Sequence, residues 1–238
     1  MRINKTNDIN NQRITMLIYS ASGIGKTTLA KTLNDKTLII SAEGGLNSLL
    51  DSDIPYIDIT KGDDNLPLKD ATSKFIRLGQ AVNFIKNGTE YQTIFLDSLT
   101  EIGQIIAEHF QLLYPKAKNS LRMWGEYSKT LRSFIKTIRD MAPYNIVFTA
   151  LEQVDKDELG RRYSLPDVQG KLAKQLPQFF DEVYIYKIFQ KEDKETRALV
   201  TRSSDQFIAK TRINKVDQYE KPNLGLIFKK LRGENERI

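Results

Sequence analysis

Lys26 and Thr27 close the octapeptide Ser20-Ala-Ser-Gly-Ile-Gly-Lys-Thr27, and two acids, Glu43 and Asp97, stand where apolar runs end. A small-residue loop ending in Gly-Lys-Thr turns its backbone N–H groups toward one point, which suits phosphate oxygens. In that arrangement Ser20, Ser22, Gly23, Ile24, Gly25, Lys26, Thr27 and Thr28 hold the phosphates of a nucleoside triphosphate. Lys26 reaches the β- and γ-phosphates, and the Thr27 hydroxyl binds Mg²⁺. The pattern G-x-x-x-x-G-K-[ST] is met except at its first position, where Ser20 replaces glycine and narrows the backbone angles open to the turn. Asp97 ends the apolar run that begins at Thr93 and is the acid expected beside the Mg²⁺. Glu43, 17 residues after Lys26, is placed to polarise a water at the γ-phosphate, with Gly44-Gly45 turning the chain away behind it.

These residues work only if strands and helices bring them together. The apolar run Ile14–Tyr19 reads as a strand entering the loop, and Thr28–Leu33 as a helix leaving it. Thr37–Ser41, Ile54–Ile59, Thr93–Asp97 and Asn145–Ala150 read as further strands. Ala71–Asn87, Leu99–Leu113 (with Ser98 as its cap), Trp124–Met141 and Leu172–Phe180 read as helices, the last disturbed by Pro177. Leu46–Leu50 begins another. Val183–Phe189 and Thr196–Thr201 read as a hairpin, with Phe207–Ile213 and Leu226–Leu231 as the last strands. The alternation predicts an α/β fold: a mostly parallel twisted sheet flanked by helices, with an antiparallel hairpin at its C-terminal edge. Residues 1–13 read as a flexible N-terminal segment and 14–238 as one domain.

With 238 residues, 40% hydrophobic and 28% charged, the composition is that of a globular protein. No apolar run approaches the roughly 20 residues of a membrane span, and the polar start lacks the apolar core of a secretory signal. An intracellular protein without membrane contact is the expectation. The absence of cysteine excludes disulfides and thiolate metal sites, and a single His109 excludes a histidine-rich one. Charge is uneven: residues 1–110 balance to −2 and residues 111–238 to +8. A basic second half beside a nucleotide-binding first half suits a polyanionic partner, nucleic acid foremost.

Ser20–Thr27, Ser41-Ala-Glu-Gly-Gly-Leu46 and Ile94-Phe-Leu-Asp-Ser-Leu-Thr-Glu101 together resemble the RecA/RadA-type ATPase core. The likeness is to the small phage-encoded RecA-like ATPases grouped with single-strand annealing and recombination proteins. It runs from about Ile14 to Arg212 and lacks the long terminal extensions of bacterial RecA. The resemblance implies ATP and Mg²⁺ as cofactors, Glu43 as catalytic base, and Thr27 and Asp97 as metal residues. It also implies a polar γ-phosphate sensor at Glu152 or Gln153, with Gln153 taken as the catalytic member. Lys210 and Arg212, two apart in a strand and so on one side, resemble the Lys-x-Arg pair that such assemblies insert into a neighbour's ATP site.

Two loops then correspond to the family's single-stranded DNA loops, roughly Tyr114–Trp124 and Val154–Lys174. Lys116, Lys118 and Arg122 in the first, and Arg161 and Arg162 in the second, are the DNA-binding candidates, with Tyr114, Trp124 and Tyr163 available for base stacking. The partners implied are single-stranded DNA, further copies of the chain in a ring or filament, and a phage single-strand-binding protein as a candidate. The setting implied is the cytoplasm of a bacterial host. Two other classes share these residues: an ATP-organised annealing scaffold that does not hydrolyse, and a replication helicase or helicase loader. Asn214-Lys-Val-Asp217 spells a guanine-selecting N-K-x-D. The charged run Ala209–Ile213 before it and the lack of glycine after Asp97 set a GTPase aside.

Overall fold

Thr15–Ser20 forms β1, six residues buried on both faces, as an unbroken apolar run must be when a sheet is covered by helices on each side. The computed structural model describes residues 13–33, 36–115, 120–191 and 194–234. The chain runs β2 (Thr37–Ser41), β3 (Tyr56–Asp58), α1 (Ala71–Lys86), β4 (Thr93–Asp97), α2 (Leu99–Leu113), α3 (Ser120–Arg139), β5 (Asn145–Lys156) and β6 (Arg162–Pro166). It continues through α4 (Leu172–Gln175), β7 (Glu182–Lys191), β8 (Lys194–Val200), β9 (Lys210–Thr211), β10 (Tyr219–Glu220) and α5 (Leu224–Arg232). The strands form one sheet in the order β10-β8-β7-β1-β5-β4-β2-β3, with β6 paired to β5 and β9 to β7. The stretch from β3 to β7 is parallel, while β8, β10, β6 and β9 are antiparallel additions. The expected architecture is therefore present, hairpin included.

Alternate residues of the central strands feed two cores. Leu17, Tyr19, Leu38, Ile40, Leu96 and Phe148 face one side and are covered by α1, α2 and α3 through Leu78, Ile102 and Leu131. Met16, Ile18, Ile39, Phe95 and Val147 face the other, under Leu29 and the apolar side of α5.

That second face corrects the expectation for Leu226–Leu231, which is not a strand but part of α5. The Asn223 side chain accepts from Leu226 N, and Gly233 ends the helix at φ 77°, a left-handed cap. Its Ile227, Phe228 and Leu231 are buried, each contributing about 1.5–3 kcal/mol. The stretch Phe207–Ile213 forms a strand over only Lys210–Thr211, with a single bridge from Phe207 to Ser164 before it. Thr27–Thr32 and Leu46–Leu49 are 3₁₀ rather than α-helical, and Pro177 splits the 172–180 stretch into α4 and a 3₁₀ turn. β5 runs six residues beyond Ala150 to form an antiparallel hairpin with β6. Among the described residues no helix is long and apolar enough to cross a membrane.

Candidate nucleotide-binding site

The carboxyl ends of β1, β4, β2 and β5 lie along one edge of the sheet, and each delivers one functional group there. β1 leads into the loop Ser20–Thr27, where Gly23 and Gly25 take φ of 77° and 107°, values a side chain resists. Ser20, fully buried, donates its hydroxyl to the Ala21 carbonyl at 2.9 Å, so the serine closes the turn that glycine makes elsewhere. Lys26 is 7% exposed and folds back into the loop. Its Nζ donates to the Ser20 and Ala21 carbonyls at 3.2 and 3.0 Å and to Ser20 Oγ at 3.3 Å. Burial lowers the Lys26 pKa, while Glu43, Asp97 and Glu152 pull it back up.

The Thr27 hydroxyl donates to Asp97 Oδ2 at 2.7 Å, tying the phosphate loop to the end of β4. Thr149, on β5, donates to the other carboxylate oxygen. Asp97 is nonetheless raised above the usual carboxylate range, because burial outweighs both hydroxyls and Glu43 adds to the effect. Residues 70 positions apart thus form the pair expected to hold a divalent cation. The donor set fits one. Thr27 and Asp97 offer hard oxygens, and the buried hydroxyl of Ser41, register partner of Asp97, has no hydrogen-bond partner among the described residues. Among the described residues no group of three acids or histidines could hold a metal alone, so phosphates and water would complete the shell.

Glu43 follows β2 and is solvent-exposed, and Gly44 behind it has φ of 65°. Its charge acts on Lys26, Asp97 and Glu101. Glu101, in the first turn of α2, is itself raised by burial and by Glu43. On β5 the pleat separates two neighbours. Glu152 acts on Lys26, whereas the Gln153 amide donates to the Pro166 and Val168 carbonyls at 3.2 and 3.4 Å. Gln153 therefore fastens the β5–β6 hairpin. Of the two, Glu152 is the one whose charge acts on Lys26.

Lys210 and Arg212 are not at this edge. β9 pairs with Glu182 and Val183, which lie level with Met16 and Leu17 at the start of β1. Lys210 Nζ donates to the Pro177 and Phe180 carbonyls at 2.8 and 2.7 Å, and Arg212 pairs with Asp181 at 2.6 Å. Among the DNA-binding candidates, Lys116 and Lys118 lie outside the described residues. Arg122 sits 5.2 Å from the centroid of the Tyr114 ring, and Trp124 is 40% exposed. Arg161 pairs with Asp157 at 2.7 Å at the hairpin tip, and Arg162 beside it is exposed.

The raised Asp97 pKa carries a stability prediction. The folded protein keeps its proton to higher pH than the unfolded chain, whose ordinary value is 3.8. Stability is therefore lost as pH rises from 3.8 through the folded-state value, by about 1.4 kcal/mol for each pH unit separating the two. Asp97→Asn removes that cost. At pH 7 its thermal midpoint should exceed the parent's, by about 2–4 °C per kcal/mol, and below pH 3.8 the two should converge. A variant less stable than the parent at pH 7 would contradict this.

The profile of the AAA domain family (AAA_24) matches residues 12–213. No curated protein matches the chain. Among solved structures, a prototypical ATPase from the type III secretion system of pathogenic bacteria superposes with a TM-score of 0.50 at 14% identity, over 73% of this chain and 51% of that one. This chain thus spans about half the length of the secretion ATPase. A KaiC-like protein from the hyperthermophilic archaeon Pyrococcus horikoshii OT3 gives 0.41 at 13% identity, over 79% of each chain. At such identity the likeness to the secretion ATPase concerns fold alone. Family profile, sheet order, phosphate loop and strand-end acid agree with one another. The chain belongs to the AAA domain family and has a P-loop, RecA-like fold.

Proposed function

We propose that the chain is a Mg²⁺-dependent ATPase that binds single-stranded DNA, acting in phage recombination or single-strand annealing as a ring or filament with ATP between protomers. The observation that carries hydrolysis is the bond from Thr27 to Asp97 at 2.7 Å, which joins the phosphate loop to the metal-side acid. When ATP enters, its phosphates offer Lys26 stronger acceptors than the Ser20 and Ala21 carbonyls it now holds, and anionic oxygens keep the buried ammonium charged. Thr27 and Asp97 would hold Mg²⁺, which supplies charge neutralisation across the β- and γ-phosphates. Glu43, exposed and unencumbered by an ion pair among the described residues, takes the proton of the attacking water. Glu152 reports the state of the site along β5 to the β5–β6 hairpin, which Gln153 fastens.

The placement of Lys210 and Arg212 supports a neighbour's role. Lys210 stands level with Leu17 and Arg212 with Thr15, three and five residues, or roughly 10 and 16 Å, short of the end of β1, and both side chains are held there by the Pro177 and Phe180 carbonyls and by Asp181 rather than by the phosphate loop. Cations beside rings support DNA binding at two places that are structured rather than loops: Arg122, in the first turn of α3, over Tyr114, and Lys174 of α4, 5.9 Å from the Tyr163 ring of β6, beside exposed Arg162.

ATP turnover with and without a single-stranded oligonucleotide tests the proposal. Several-fold stimulation is expected, and Arg161→Glu with Arg162→Glu should abolish it while leaving basal turnover intact. Turnover indifferent to DNA would point to a motor or loader, and none under any condition to a scaffold.

A further inference from the structure

β1 is flanked on one side by β5, β4 and β2, which bring the acids, and on the other by the β7–β8 hairpin, which brings none of them. From β8, Arg197 reaches the phosphate loop. Its Nη1 donates to the Ile24 carbonyl at 3.1 Å, between residues 173 apart in sequence. Glu195 on the same strand receives its Nε and Nη2 at 3.2 and 3.1 Å, which fixes the guanidinium fork. Tyr186, on β7, stands against the same place. A Cβ built on Gly25 would lie 3.6 Å from Arg197 Nη1, 3.8 Å from the Tyr186 ring and 3.0 Å from Thr28 Oγ1.

The peptide that Arg197 grips also contains a phosphate donor. In a trans peptide the Ile24 C=O and the Gly25 N–H point to opposite sides. Holding that carbonyl on the hairpin side turns the Gly25 N–H toward the concave side of the loop, where phosphate oxygens collect. We infer that Arg197 is a positioning residue for nucleotide, setting the direction of the Gly25 N–H by its grip on the Ile24 carbonyl, with Glu195 orienting it. Nucleotide affinity is thereby governed from the β7–β8 hairpin, on the flank opposite the catalytic acids. The inference rests on the nucleotide reading above. Its competitor is an exposed Arg–Glu pair touching the loop by chance, which would be worth little.

Titration calorimetry of the full chain with ADP, alongside steady-state ATP hydrolysis, tests this. Arg197→Ala should weaken ADP binding about tenfold or more, the loss expected for a hydrogen bond from a charged donor, and raise KM while kcat stays within about twofold. Arg197→Lys should recover most of the affinity, since an ammonium also donates to a carbonyl, and Glu195→Ala should fall between. Thermal midpoints without nucleotide should match the parent's. Parent-like ADP affinity in Arg197→Ala overturns the inference alone, as does a loss matched by a lowered midpoint or a fall in kcat at constant KM. A parent that binds no ADP overturns the nucleotide reading and this inference with it.

Discussion

Glu43→Ala should bind ATP as tightly as the parent and hydrolyse it about 10²–10⁴-fold more slowly, the usual contribution of a positioned general base. The expectation follows from how the residue is held. Glu43 stands exposed beyond β2, outside the hydrogen bonds that hold Lys26 to the Ser20 and Ala21 carbonyls and Thr27 to Asp97, so its removal leaves the phosphate and metal groups in place. It also lifts a negative charge that now raises both Asp97 and Glu101. Binding should therefore hold or improve slightly as turnover collapses. Nucleotide titration and phosphate release on one preparation separate the two quantities. Turnover at the parent rate would remove Glu43 from the mechanism and leave Glu101 or Glu152 as the acids to examine.

Lys210→Ala with Arg212→Ala should lower turnover by about 10³-fold, the scale on which a cationic finger supplied by a neighbour acts. Because Lys210 also holds the Pro177 and Phe180 carbonyls, the thermal midpoint must be measured alongside. Mixing makes the test independent of stability. A protomer lacking Lys26 still brings its finger, and one lacking Lys210 and Arg212 still brings its phosphate loop. Equal mixtures of Lys26→Ala with the double variant should regain activity that neither has alone. No regain, or a double variant as active as the parent, would mean that no finger crosses between protomers.

Much of the fold and site is legible in the sequence, because local chemistry and burial agree there. Thr93–Asp97 and Leu99–Leu113 have the bounds expected of them, since an uninterrupted apolar run, a strand-end acid and Ser98 as cap leave little alternative. Leu226–Leu231 is ambiguous by itself, because six residues rich in apolar types suit strand or helix alike. Asn223 and Gly233, one at each end, are the signals that decide for helix. The choice between Glu152 and Gln153 turns on the Gln153 amide being taken up by the Pro166 and Val168 carbonyls, contacts that exist only once β6 folds back on β5. Thr149 beside Asp97 follows from the strand order, and Arg197 against Ile24 from a contact across the fold, so neither has a local signature.

Everything proposed for this chain depends on one sheet edge that brings Lys26, Thr27 and Asp97 together. Calorimetric titration with ATP, with and without Mg²⁺, tests it most directly. One site per chain is expected in the parent, tightened by Mg²⁺, abolished in Lys26→Ala, and insensitive to Mg²⁺ in Asp97→Asn. A parent that binds no ATP, or a Lys26→Ala variant that binds it undiminished, would contradict the assignment.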